Sequence, residues 1–145
     1  MKLLCILDTL PAADFTDPEA ISKKGGLFPV ALRALANAGF DVTVAVIHRR
    51  DVVNEERFAE SLGCGYLRPR GAPAAEQRRE VRRALRFTSI TMPEWSLGLR
   101  LRKWRKYRRR NRERLEGSAQ VVADVERARQ GGVRFDHLLA LTSYG

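Results

Sequence analysis

Residues Lys2 to Ile47 switch from one hydrophobic period to another and back, which restricts the fold more than any other feature of the chain. "KLLCIL" (Lys2 to Leu7) is a short continuous apolar run, as expected of a strand buried on both faces. Leu27, Val30 or Ala31, Leu35 and Ala38 then recur at helical spacing. Pro29 is tolerated in the first turn of that helix, and Gly39 fits its C-terminal stop. "DVTVAVI" (Asp41 to Ile47) follows, with β-branched residues at alternate positions. Strand, helix and strand in this order imply a right-handed crossover and a parallel sheet.

The alternation continues downstream. Asn54 to Leu62 reads as a short helix with Asn54 as N-cap and Gly63 at its end. "CGYLRP" holds a brief third strand, and Pro73 to Arg86 is a second charged helix. Ser96 to Leu115 is a basic helix that Gly117-Ser118 breaks. Ser118 to Gln130 is a further amphipathic helix, and "VRFDHLLALTS" (Val133 to Ser143) supplies the last strand. The predicted fold class is α/β: a Rossmann-like parallel sheet flanked by helices. At 145 residues the chain suits one domain with one core, carrying a basic helical insertion near 96–116.

The net charge of +10 is concentrated. Between Arg100 and Arg114 there are ten Lys or Arg and one acid, Glu113, so that segment holds +9 of the total. An anionic partner would be met there. Leu97, Leu101, Trp104 and Leu115 form a narrow apolar stripe on the same helix, interrupted by Arg108 and Asn111. Arg102, Lys103, Trp104, Arg105, Lys106 and Arg109 are the candidate contacts to an anionic membrane surface. A solvated helix packing its stripe on the core is the competing reading. Nucleic acid is a third, since arginines neutralise phosphates, but no recognised nucleic-acid motif accompanies the helix.

Cys5 and Cys64 have neither metal-site spacing nor the pattern of a disulfide framework and are expected as buried, reduced thiols. His48 and His137 are the only histidines, and no Ser/His/Asp or metal cluster can be drawn from the sequence. The apolar run at the N-terminus stops at Asp8, short of signal-peptide length, and every other apolar run falls far below the ~20 residues of a membrane span. The expected location is cytoplasmic, with peripheral attachment to the inner membrane face if the basic helix binds lipid.

"ISKKGGL" (Ile21 to Leu27) places two lysines and a glycine pair directly before a helix. A helix N-terminus offers unpaired N–H groups and partial positive charge, and glycines let an anion approach the backbone. Lys23, Gly25 and Gly26 are therefore candidates for holding a phosphate or diphosphate. A flexible turn with solvated lysines is the alternative. There is no GxGxxG, and no P-loop spacing.

This combination resembles the N-terminal domain of GT-B glycosyltransferases. "KKGGL" is similar to the "KTGGL" of glycogen and starch synthases, and "ALRALANAGFDVTVAV" is similar to the family-4 enzymes. The resemblance covers residues 2–51 and resumes weakly at "VRFDHLLALTS", where Asp136 matches the family's aspartate. The histidines that often follow it are Leu139 and Leu141 here. The resemblance implies that Gly25, Gly26 and Lys23 contact the diphosphate region of a nucleotide-sugar donor. It further implies a glycan or lipid-linked acceptor and no separate cofactor. The family's second, donor-binding domain is not in this sequence. The expectation is an incomplete N-terminal domain, marginal in stability and inactive alone. The rival expectation is a non-catalytic Rossmann-like binding module whose arginine helix engages nucleic acid or another polyanion.

Overall fold

The computed structural model describes residues 1–10, 27–86 and 97–141. Strands β1 (Lys2–Leu7), β2 (Asp41–Val46), β3 (Gly65–Tyr66) and β4 (His137–Leu141) form one sheet in the order β3-β2-β1-β4. Every pairing is parallel. The helices are α1 (Leu27–Asn37), α2 (Val52–Ser61), α3 (Ala75–Arg86) and α4 (Leu97–Gln130). This is the α/β, Rossmann-like arrangement that the alternating periods predict.

The two faces of the sheet explain the unbroken apolar run of β1. Leu3, Cys5 and Leu7, with Val42, Val44 and Val46 of β2, pack against Leu32 of α1, Phe58 and Ala59 of α2, and Leu62 at its C-cap. The residues between them, Leu4 and Ala45, face the other way and meet Val121 of α4, with Ile6, Val125 and Phe135 alongside. A strand covered on both faces has no solvent side on which to carry polar residues. Full burial of each large side chain contributes about 1.5–3 kcal/mol. β4 is different: Leu138 is 62% exposed on this outer strand. Its start is fixed to β1 by Asp136, whose N–H donates to the Lys2 carbonyl (2.8 Å) and whose Oδ2 accepts from the Lys2 N–H (2.7 Å).

Several boundaries depart from the sequence reading. The N-cap of α2 is Asp51, three residues before Asn54; its Oδ1 accepts from the Asn54 N–H at 3.2 Å. An ionised carboxylate at a cap satisfies an orphan N–H and complements the helix dipole. The break at Gly117-Ser118 is absent, and the basic segment and the amphipathic segment are one helix of 34 residues. Glycine costs a helix interior about 1 kcal/mol against alanine, which tertiary packing overrides here. β4 begins at His137, four residues later than expected, because residues 133–136 connect α4 to the sheet. Gly39 does end α1, with φ +90, and the Phe40 N–H returns to the Leu35 carbonyl. No helix among the described residues is long and apolar enough to cross a membrane.

Cys5 and Cys64 are buried free thiols in the core beneath α1 and α2. Burial raises both, and for Cys64, with Cys5 nearby as a further cause, the rise is from 9.0 to about 11. Between those values the unfolded chain has lost a proton that the folded chain keeps. Stability therefore falls as pH rises through this window, by up to about 1.4 kcal/mol per unit for one such group. Urea unfolding below pH 9 and again approaching pH 11 should show that decline, and Cys64→Ala should make it shallower. Identical slopes for the two proteins would refute the assignment.

Candidate functional site at the carboxyl edge

Because the strands are parallel, their carboxyl ends share one edge, formed by Leu7 and Asp8, by Val46 to Arg49, and by Tyr66 and Leu67. Open α/β sheets bind ligands outside this edge. The β1–β2 ladder runs up to it: the Ile47 N–H donates to the Leu7 carbonyl at 2.9 Å and the His48 N–H to the Asp8 carbonyl at 2.8 Å. The connection from β1 to α1 leaves from the same edge. To bring the chain back to the start of a parallel β2, α1 must run against the strands, so its N-terminus lies at the carboxyl edge. Lys23, Gly25 and Gly26 lie outside the described residues.

The basic helix comes to the same edge. A Cβ at Gly117 would lie 2.7 Å from Ile47 Cγ2 and closer still to the Ile47 carbonyl oxygen. Only a glycine lets α4 pass this near to the end of β2. On the C-terminal side of Gly117, Val121 and Val125 cover the sheet. On the N-terminal side, Arg114 Nη2 donates to Asp8 Oδ2 at 2.9 Å, with the Asp8 side chain 11% exposed. At 100° per residue, Lys103, Lys106 and Arg110 share the face of Gly117. That face is the one that continues past the sheet.

The six residues expected as one cationic surface therefore divide. Lys103 and Lys106 lie on the Gly117 face, while Arg102, Arg105 and Arg109 follow i, i+3, i+7 along another flank. Arg109 also pairs with Glu113 at 3.7 Å, an exposed i, i+4 contact worth little in water. Trp104 remains 38% exposed, with the Arg108 guanidinium 4.9 Å from its ring centroid. Of the histidines, His48 sits at the carboxyl edge, whereas His137 opens β4 at the opposite edge, as does Asp136.

A polar group not anticipated from the sequence holds α4 in place. Asp124 is 1% exposed. Its Oδ2 accepts from Arg49 Nη2 at 3.0 Å, and its Oδ1 from the Arg70 N–H at 2.7 Å and Gln120 Nε2 at 3.0 Å. Gln120 also donates to the Gly71 carbonyl and Arg127 to the Ala72 carbonyl, so the segment after β3 is bound to α4. Arg49 Nε is buried without a partner among the described residues. The signal was present: in "VVADVERA" an aspartate interrupts the stripe Val121, Asp124, Val125 and Ala128. An acid on an apolar stripe needs a buried cation or several N–H donors. Beside this group, Tyr66 donates to Glu55 Oε2 at 2.6 Å, and burial together with that bond raises the phenol above its ordinary range.

At this edge Arg114 is bonded to Asp8 and Arg49 to Asp124, with His48 beside them. Among the described residues no group of three His, Cys, Asp or Glu could hold a metal ion. In comparisons with known proteins, the chain matches no family, no curated protein and no solved structure.

Proposed function

We propose that this chain is the acceptor-side, Rossmann-like domain of a GT-B-type glycosyltransferase, taking the diphosphate of a nucleotide sugar at the carboxyl edge. The supporting observation is convergence: the β1–α1 connection leaves from the edge to which the basic helix is tied by Arg114 and Asp8. In this reading Gly25 and Gly26 admit the diphosphate to the N-terminus of α1, and Lys23 adds a mobile cation. The likeness of residues 2–51 to GT-B sequences names the donor class. The test is titration of the chain with UDP-glucose and GDP-mannose, followed by amide shifts. Perturbations should cluster at Asp8, His48 and the start of α1. Gly26→Val should weaken binding by about tenfold, since a branched side chain removes charge-assisted N–H contacts worth 1.5–3 kcal/mol. Shifts confined to β4 or the amino edge, or none with either nucleotide, would defeat the proposal.

A second reading concerns the outer half of α4, where Leu97 is 75%, Leu101 51% and Trp104 38% exposed among arginines and lysines. An apolar stripe flanked by cations suits an anionic bilayer. Vesicles containing phosphatidylglycerol should bind the chain with an affinity that falls steeply as salt rises. A salt-resistant remainder should disappear in Trp104→Ala. Equal binding to neutral vesicles, or retardation of nucleic acid without vesicle binding, would dismiss it.

A further inference from the structure

We infer that the groove between α3 and α4 is a separate anion site, suited to a compact oligophosphate. It encloses about 650 Å³, within the range of small-ligand pockets. Arg78, Arg82 and Arg86 line it from α3, and Arg108 and Arg112 from α4. Among the described lining residues the one carboxylate, Glu116, is already bonded to Arg112 Nε at 2.9 Å. Among the described residues no carboxylate pairs with the other four. Val81 and Leu85 add apolar lining between the arginines of α3.

Two helices presenting arginines to a common recess repel each other unless an anion lies between them. α3 has no buried residue to offset that repulsion. Its attachment to α4 includes polar contacts such as Gln77 Nε2 with Glu126 Oε2 at 3.2 Å. The arginines of α3 repeat every four residues, about 6 Å along the axis, so they meet several phosphoryl groups in a row better than a single one. The guanidinium fork takes phosphoryl oxygens in pairs. The recess favours a compact molecule over a flat bilayer. Among the described residues no aromatic side chain lines it, and the Trp104 ring already carries Arg108, so the described lining offers nucleic-acid bases no stacking platform. Asp8, His48 and Arg114 are not among its walls, which separates this site from the carboxyl edge.

The test uses inorganic tripolyphosphate and orthophosphate at constant ionic strength, with calorimetry and thermal shift on the whole chain. Tripolyphosphate should bind at least about tenfold tighter than orthophosphate, and Arg82→Gln/Arg86→Gln should remove about tenfold of that affinity. Lys106→Gln/Arg110→Gln, the same change of charge away from the groove, should stay within about threefold. Without ligand, Arg82→Gln/Arg86→Gln should melt no lower than the parent, because the change removes repulsion; a lower melting point would overturn the argument from repulsion. Equal losses in the two double variants would overturn the site in favour of diffuse charge. A larger loss in Lys106→Gln/Arg110→Gln would move the anion to the carboxyl edge. A short RNA that binds more tightly than tripolyphosphate and is lost on Arg82→Gln/Arg86→Gln would overturn the oligophosphate in favour of nucleic acid. Displacement of tripolyphosphate by phosphatidylglycerol vesicles would overturn it in favour of a lipid surface.

Discussion

Asp124→Ala is expected to destabilise the domain by about 3–5 kcal/mol, the usual cost of removing one partner from a buried ion pair. The carboxylate is the common acceptor for Arg49, the Arg70 N–H and Gln120, and its side chain has no exposure, while that of Arg49 has 12%. Without it Arg49 is left as a buried, uncompensated charge and a backbone N–H loses its acceptor. Urea unfolding of Asp124→Ala, Arg49→Met and the double variant measures the coupling. The double variant should be less destabilised than the sum of the singles, because it removes the stranded charge. Strict additivity would mean that the pair contributes nothing to holding α4. An Asp124→Ala loss below about 1 kcal/mol, the level of an exposed pair, would exclude burial of the carboxylate.

Gly117→Ala should also destabilise, by about 1–3 kcal/mol as for other overpacked sites, although alanine is the better helix former. The added methyl would collide with Ile47, whose backbone cannot swing aside as a long side chain can. Relief requires α4 to lift from the end of β2. A control is available on the same helix: a Cβ at Gly98 meets nothing within 4 Å among the described residues, so Gly98→Ala should leave stability unchanged or raise it. Thermal and urea unfolding of the two variants decide the matter. If Gly117→Ala is as stable as Gly98→Ala, α4 does not approach the edge as closely as the structure has it. If it is destabilised, amide shifts at Asp8 and His48 should accompany the loss, since Arg114 is carried away with the helix.

Much of the architecture could be read before any coordinates. "KLLCIL" and "DVTVAVI" appear in the sheet as β1 and β2, and Gly39 ends α1 in the left-handed conformation that a glycine permits. These features are legible because they are local: burial on both faces requires continuous apolarity, and a positive φ selects glycine. Boundaries that depend on side-chain competition were harder. Asp51 and Asn54 are both good caps, and the choice rests on which one the chain entering α2 from β2 leaves extended. The candidate site was partly legible. The concentration of charge between Arg100 and Arg114 pointed to the basic helix, but its six named residues face different directions once the helix is formed.

By itself the sequence determined the alternation of strands and helices, hence a parallel sheet, and the segregation of positive charge onto one stretch of chain. Both are properties of neighbours along the backbone. Only the tertiary structure decided that Gly117 is a point of close approach and not a break, because a glycine in a helix has the same local signature in either role. Only it brought Asp124 to Arg49, Arg114 to Asp8 and the arginines of α3 opposite those of α4. Partners separated by 75 and 106 positions have no periodic trace in one sequence. Whether they meet depends on how α4 is laid across the sheet, and that is set by the fit of its Gly117 and Val121 against β1 and β2.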